Sequence, residues 1–206
     1  MSKNALIQVI EGIADNKYVL GDRLALVGFS APDIESCVAS MAMAQGELGH
    51  SRILYHWVLD IKGHKGKKPD ISNETGKSFT ELRKIDGWVK LIAGFYVTNV
   101  AMDVILDAMI ESNNPDVRSN INKLYLEHKE HCIYSEGWAL KLLNDIGGVP
   151  RKFKEELNKI LPQAEAWLKE VETIQGLDEY IVQKNLLSRF QEQIAKVTGI
   201  GAVTNA

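Results

Sequence analysis

Carboxylate and imidazole side chains recur at helical spacing in two parts of the sequence. Glu47 and His50 stand three residues apart, and His128 and His131 repeat that spacing later in the chain. Residues three apart on a helix lie on the same face, so each pair would point in one direction. Carboxylates and imidazoles suit metals such as iron or manganese, and open coordination positions on such a metal would allow oxygen chemistry.

These two pairs interrupt the apolar stripes of two predicted helices, and two further helices carry a polar residue in the same way. In stripes counted at every third or fourth position, Lys17 falls on the stripe of the first helix and Asn99 on that of the third. Polar groups in a helix-packed core are costly unless they are paired, hydrogen-bonded or bound to metal. We therefore predict a buried polar centre, and its members are Lys17, Glu47, His50, Asn99, His128 and His131.

The residues alone leave several interpretations of this centre open. Lys17 and Glu47 could neutralise each other directly, which would leave no room for a metal. Lys17 could instead extend to solvent, and the histidines and Asn99 could be ordinary hydrogen-bonded core residues. A single metal on Glu47, His50 and His131, with His128 as a fourth ligand, would need Lys17 to be neutral or turned away.

Six predicted helices must position these residues. Proline, glycine and capping residues divide the chain, and no segment alternates apolar and polar residues as a strand would. One long loop, residues 62–80, joins the second helix to the third, as in an up-down bundle with a crossover. The predicted helices cover residues 3–27, about 33–61, 81–112 (with a break at 86–87), 115–147, 150 onward (kinked at Pro162) and 177–198.

Composition excludes several classes of protein. The 206 residues are 45% hydrophobic and carry a net charge of -3, which predicts one domain with a real core and no general affinity for nucleic acid. Cys37 and Cys132 form no Cys-x-x-Cys motif, which argues against a disulfide framework or a zinc ribbon. The most apolar stretch, residues 87–110, contains Lys90, Asp103 and Asp107, so we interpret it as a bundle core rather than a membrane span. The sequence predicts a cytoplasmic protein without a signal peptide.

Several segments together resemble the phenylacetic acid catabolic family. Its members include the ferritin-like A and C subunits of the phenylacetyl-CoA ring epoxidase, and the likeness covers roughly residues 16–146. The resemblance implies an all-α, ferritin-like four-helix bundle with additional C-terminal helices, in a single domain over residues 1–206. The matching segments are Tyr18–Leu24, Ala31–Glu35, Gln45–Tyr55, Glu111–Pro115 and Glu127–Trp138.

The resemblance also implies a ligand set. In the family, the A subunit holds a di-iron centre and epoxidises the CoA-activated aromatic ring with oxygen, whereas the C subunit lacks the metal and supports it. Glu47 and His50 match the first Glu-x-x-His motif of the catalytic subunit, and His131 matches the histidine of the second.

Three other ligand positions depart from the catalytic pattern. Lys17, Asn99 and His128 stand where carboxylates are expected, so the resemblance implies a partly degenerate di-iron site. The cofactor would be mono- or dinuclear iron, or none if Lys17 replaces the metal. Nearby carboxylates would substitute only if the helix register slips, and these are Asp15, Asp103 and Glu127.

The resemblance supports two functional hypotheses. The first is a structural or substrate-binding subunit in a homo- or hetero-oligomer with a related ferritin-like subunit. The second is an iron-dependent oxygenase acting on an aromatic CoA thioester. Metal storage ranks below both, because the stripes supply one carboxylate. The basic loop residues 64–68 could receive the phosphates of a CoA thioester, although an ordinary solvated loop is the simpler explanation.

Overall fold

The computed structural model describes residues 2–200, and helices account for all the regular secondary structure in that range. This confirms the predicted all-α class and is consistent with a ferritin-like helical bundle. Two 3-10 turns, Gly28–Ser30 and Leu82–Lys84, lie between helices. The six helices are α1 (Ser2–Val27), α2 (Ile34–Ile61), α3 (Trp88–Glu111), α4 (Pro115–Leu143), α5 (Val149–Thr173) and α6 (Leu186–Thr198).

Two antiparallel hairpins build the bundle. α1 packs along α2, and α3 packs along α4, while residues 62–87 cross from one hairpin to the other. α5 and α6 then cover α3 from outside the four-helix core. α3 is therefore surrounded on all sides, and its side chains are almost all buried. This explains why α3 is apolar all round its circumference.

α3 needs one correction to the sequence interpretation. Within residues 2–200 it is the one helix that is long and apolar enough to cross a membrane by length and composition. Its polar residues do not exclude a span on those criteria. Burial supports the interpretation as a bundle core, because 89% of its most apolar stretch lies inside the bundle, as in the core helix of a soluble protein.

Three predicted helix boundaries were wrong. The predicted break at residues 86–87 is confirmed, since the extended backbone of Gly87 separates α3 from the preceding 3-10 turn; α3 therefore begins at Trp88 and not at residue 81. α4 ends at Leu143, before the predicted end at residue 147. α6 begins at Leu186 and not at residue 177, since Asn185 has a positive φ of 61° that interrupts the helix. α5 stays helical through Pro162.

The crossover is tied to the middle of α1 by a buried carboxylate. Asp15 is fully buried and accepts hydrogen bonds from the backbone nitrogens of Thr75 (2.9 Å) and Lys77 (2.6 Å). The hydroxyls of Thr75 (2.8 Å) and Tyr55 also donate to it. The neighbouring Asn16 accepts from the backbone nitrogen of Phe79 at 2.9 Å. α1 thus holds the crossover beside the position of Lys17.

Replacing the Asp15 carboxylate should loosen the crossover. We predict that Asp15→Asn lowers the free energy of unfolding by about 2–3 kcal/mol, since hydrogen bonds to a charged group are lost. Urea denaturation measures this change. The control is Asp70→Asn, an exposed carboxylate in the same crossover with no polar partner among the described residues, for which we expect a change within about 0.5 kcal/mol. Equal effects of the two substitutions would contradict the anchoring role.

Candidate functional site

Four helices each bring a polar side chain to the middle of the bundle. α1 supplies Lys17, α3 supplies Asn99, and α2 and α4 supply the two pairs at helical spacing. The structure places all six residues in the interior. The exposed fractions are 0% for Lys17, Glu47, Asn99 and His128, 2% for His50 and 6% for His131.

The Lys17 ammonium lies between a carboxylate and an imidazole. Its Nζ donates to Glu47 Oε2 at 3.0 Å and to His128 Nδ1 at 3.2 Å. An ammonium has only donors, so Nδ1 of His128 must be the acceptor. Nε2 of His128 then carries the proton, which it donates to the backbone oxygen of Asn99 at 3.2 Å. Both ring nitrogens of His128 are therefore engaged.

Electrostatics keep His128 neutral. Burial and the nearby Lys17 charge hold the pKa of His128 well below its usual range. A neutral imidazole is the form that can accept from the ammonium. The sequence alternative in which His128 is a fourth metal ligand would require this hydrogen bond to break.

Glu47 is held by two neighbours. Its Oε2 accepts from Lys17, and its Oε1 accepts from His131 Nδ1 at 2.5 Å. Burial alone would raise the pKa of Glu47, but the Lys17 charge and the hydrogen bond from His131 outweigh it and hold the pKa well below its usual range. The carboxylate is thus ionised and paired inside the core.

His50 connects the centre to the surface. Its Nε2 lies 2.8 Å from Oε2 of Glu127, a carboxylate whose side chain is 48% exposed. A carboxylate accepts, so the proton lies on Nε2 and the lone pair on Nδ1. Nδ1 is buried and has no hydrogen-bond partner among residues 2–200. Burial and the Lys17 charge lower the pKa of His50 to about 4.

The backbone oxygen of Asn99 accepts the hydrogen bond from His128, whereas its side chain takes little part in the centre. Its Nδ2 makes two long contacts of 3.4 Å, to the backbone oxygen of His131 and to Oγ of Ser135. Its Oδ1 is buried without a partner in the described part of the chain. The side chain therefore joins α3 to α4 but makes no hydrogen bond to Lys17 or Glu47.

Three of the residues are close enough to share one metal ion. One ligand atom from each of Glu47, His50 and His131 lies within 4.8 Å of the other two. Gly46 makes room for this arrangement, because a Cβ there would lie 2.8 Å from Cε1 and Nε2 of the His131 ring. The sequence interpretation missed Gly46, although a glycine in the interior of a predicted helix is a signal of close packing.

The carboxylates that could substitute as ligands are engaged elsewhere. Asp15 holds the crossover, Glu127 bonds His50 from the surface, and Asp103 lies 2.6 Å from the ammonium of Lys129. Asp103 also lies near His128 and Cys132 in a second group of potential ligands. Burial raises the pKa of the Cys132 thiol, which keeps it in the protonated form that binds metal poorly.

Two sequence comparisons relate the chain to known proteins. The sequence model of a family described as "Phenylacetic acid catabolic protein" matches residues 1–200. The chain is also similar to the C subunit of the 1,2-phenylacetyl-CoA epoxidase of Escherichia coli (strain K12), with 22% identity over 152 residues. The aligned part is 72% of this chain and 61% of that protein, so the chain spans about three fifths of the length of its relative.

The buried ion pair should show strong energetic coupling. We predict that Lys17→Met and Glu47→Gln each lower the free energy of unfolding by about 3–5 kcal/mol, because each leaves a buried charge without its counter-charge. The double variant should lose at least about 2 kcal/mol less than the sum of the two. Chemical denaturation of the four proteins measures the coupling.

A surface pair provides the control for this cycle. Arg151 and Glu155 lie 2.7 Å apart with side chains that are 79% and 53% exposed, so Glu155→Gln should change stability by less than about 1 kcal/mol. Additive effects of Lys17→Met and Glu47→Gln would show that the two charges do not stabilise each other.

His50 should make stability depend on pH. Its pKa is about 4 in the folded protein against 6.5 ordinarily, so between these values only the unfolded chain binds the proton. The free energy of unfolding should therefore fall as the pH is lowered from about 7 to about 4, and His50 should account for about 3 kcal/mol of that fall. Thermal or urea unfolding at a series of pH values measures it.

The matched comparison uses two histidines of α2. His50→Gln should remove most of the fall in unfolding free energy that His50 causes on acidification. His56→Gln, on a partly exposed side of the helix, should leave that fall unchanged. A His50→Gln protein with the same pH profile as the unsubstituted chain would show that His50 is not buried in its neutral form.

Proposed function

This chain belongs to the phenylacetic acid catabolic protein family, and from that membership we propose that it is an epoxidase-like subunit that works without a di-iron centre. The family and the similar epoxidase subunit together point to a phenylacetate-catabolism protein of the epoxidase type. The proposed role is that of a structural or substrate-binding subunit in an assembly with a related helical subunit.

The observation that carries this proposal is the position of Lys17. Its ammonium is fully buried and donates to Glu47 at 3.0 Å and to His128 at 3.2 Å. A positive charge at that distance stabilises the ionised carboxylate, as a bound metal cation otherwise would. The centre is thus charge-balanced by side chains of the protein itself.

The residues present do not fit a dinuclear iron group. Bundle-core di-iron sites take a glutamate from each of two helices and a Glu-x-x-His motif from each of the other two. In the register that the family resemblance implies, the corresponding positions on α1, α3 and α4 are Lys17, Asn99 and His128. Among the six residues of the centre, Glu47 is then the one carboxylate. An iron ion next to Glu47 would also be repelled by the ammonium. We therefore derive no oxygen chemistry through such a centre.

A second candidate function has one specific observation in its favour. Glu47, His50 and His131 could hold a single metal ion, and the buried Nδ1 of His50 has no hydrogen-bond partner among residues 2–200. A mononuclear iron site of this kind would support the alternative of an oxygenase acting on an aromatic CoA thioester. His131 would have to bind the metal through Nε2 or release the hydrogen bond from its Nδ1 to Glu47, and the Lys17 charge would oppose the metal.

The substrate-binding part of the proposal draws on the basic loop. Residues 64–68 are mostly exposed at the start of the crossover. Lys68 pairs with Asp60 at 2.6 Å, whereas Lys65 and Lys67 make no ion pair within residues 2–200. Two free ammonium groups on one loop would attract the phosphates of a CoA thioester.

Metal analysis tests the proposed function directly. We expect protein purified from iron-supplemented cells to contain less than about 0.1 iron per chain by elemental analysis, because Lys17 opposes metal binding at Glu47. Added ferrous iron should then give no thermal stabilisation. Two tightly bound irons per chain would refute the proposal, and one per chain would favour the mononuclear alternative.

A rebuilt site extends this test. The triple substitution Lys17→Glu, Asn99→Glu and His128→Glu restores carboxylates at the three departing positions and should bind iron where the unsubstituted chain does not. Glu47→Gln in the triple background is the control and should abolish the gain. Circular dichroism checks that each variant is folded, and a folded triple variant without iron would show that these three positions do not face a common site.

A further inference from the structure

A surface cavity lies where the crossover passes the α1–α2 hairpin. Its volume is about 520 Å³, which is within the range of cavities that bind small organic molecules. Tyr18 of α1 and Ile71 of the crossover form part of its wall, and residues of α2 between Leu48 and Ile53 form the rest. We call it the crossover cavity. It shares no lining residue with the buried polar centre or with the basic loop.

The crossover side of this cavity is held in place by hydrogen bonds. Tyr18 donates its hydroxyl proton to the backbone oxygen of Ser72 at 2.8 Å. A few residues further on, the buried carboxylate of Asp15 holds the same segment of the crossover. Ile71 lies directly before Ser72, so α1 fixes its position in the wall. A cavity that is formed in advance reduces the ordering cost of binding a ligand.

Most of the wall is apolar. Leu48 and Ile53 of α2 are 38% and 44% exposed, and Ile71 of the crossover packs against the hydrophobic core. Together with the ring of Tyr18, these side chains can contact a hydrocarbon chain, and burial of such a chain is favourable in proportion to the apolar area removed from water. The cavity is thus suited to a ligand with an apolar body.

Ser51 gives the cavity a buried polar group. Its side chain is fully buried by the rest of the chain and lines the cavity. Its Oγ has no hydrogen-bond partner among residues 2–200, because the hydroxyl of Tyr55, one turn further along α2, donates to Asp15 instead. Buried hydroxyls in folded proteins normally have a partner. A ligand with an acceptor oxygen would supply one.

Arg52 is the one charged side chain among the residues that line the cavity. It is exposed, and it forms no ion pair or hydrogen bond in the part of the chain that the structure describes. A guanidinium group binds a carboxylate through two parallel hydrogen bonds. Because a single cation balances a single negative charge, a monocarboxylate fits this cavity better than a phosphate dianion does.

We propose that the crossover cavity binds a small monocarboxylate with an apolar chain, of the chemical class of medium-chain fatty acids. The carboxylate accepts hydrogen bonds from the Arg52 guanidinium and the Ser51 hydroxyl. The chain lies against the apolar wall that Leu48, Ile53 and Ile71 provide. This site is separate from the proposed function, because it uses neither the buried centre nor the basic loop, and its occupancy does not depend on the metal content of the protein.

The first test titrates the full chain with octanoate and follows the heat of binding. We expect one saturable site per chain. Octan-1-ol has the same chain without the charge and should bind at least about tenfold more weakly, because the charge-assisted bonds to Arg52 are lost. Acetate has the charge without the chain and should also bind at least about tenfold more weakly. Inorganic phosphate should not displace octanoate.

The second test fills the cavity from Gly49, which also lines it. A Cβ at Gly49 would meet nothing within 4 Å, so Gly49→Leu places its side chain in the cavity without displacing a neighbour. This variant should stay folded and be at least as stable to heat, since glycine disfavours a helix, and it should lose octanoate binding. Gly137→Leu is the matched control, because Gly137 lies equally open inside α4 and outside the cavity. It should bind octanoate as the unsubstituted chain does.

The third test removes the polar groups singly. Arg52→Gln should weaken octanoate binding at least about tenfold, and Ser51→Ala should weaken it about fivefold without a loss of thermal stability, since its hydroxyl has no partner in the chain. Arg151→Gln, at an arginine that is 79% exposed on α5, is the control and should have no effect.

Several results would overturn the proposal. They are an unsubstituted chain that does not bind octanoate, octanoate binding that survives in Gly49→Leu or Arg52→Gln, octan-1-ol that binds as tightly as octanoate, and phosphate that displaces octanoate. Circular dichroism confirms that each variant is folded.

Discussion

The buried ammonium of Lys17 and the carboxylate of Glu47 constrain the whole bundle. An unpaired charge in such a core costs several kcal/mol, so the helices that carry these two groups must meet with the side chains in contact. Lys17 draws His128 of α4 into the same cluster, and His128 in turn bonds the backbone of α3. One ion pair therefore sets how α1, α2, α3 and α4 are rotated against one another.

Periodicity was enough to predict much of this arrangement. Because the apolar stripes repeat at helical spacing, Lys17 and Asn99 could be recognised as interior residues from the sequence alone. Periodicity does not say which polar neighbours will meet. Lys17 bonds His128 and does not extend to solvent because α1 and α4 lie close together at this level of the bundle. The apolar stripe of a single helix carries no information about distances between helices.

The crossover contacts, the start of α3 and the role of Glu127 could not be predicted from the periodicity of the sequence. Asp15 and Asn16 bind backbone nitrogens of the crossover, and backbone groups are the same for every residue type, so no motif marks them. The start of α3 was misplaced for a related reason, since residues 82–84 form a 3-10 turn that shares its composition with a helix. Glu127 was considered as a metal ligand, whereas its exposure makes it a surface partner of His50.

The counter-charge of Glu47 has a consequence for how the protein matures. Lys17 is synthesised with the polypeptide, whereas a metal ion must be delivered after translation. On the proposed function, the core is complete as soon as the helices pack, without a metal chaperone or a loading step. Production of this protein would then be independent of the iron supply of the cell, and a shortage of iron would limit its catalytic relatives first.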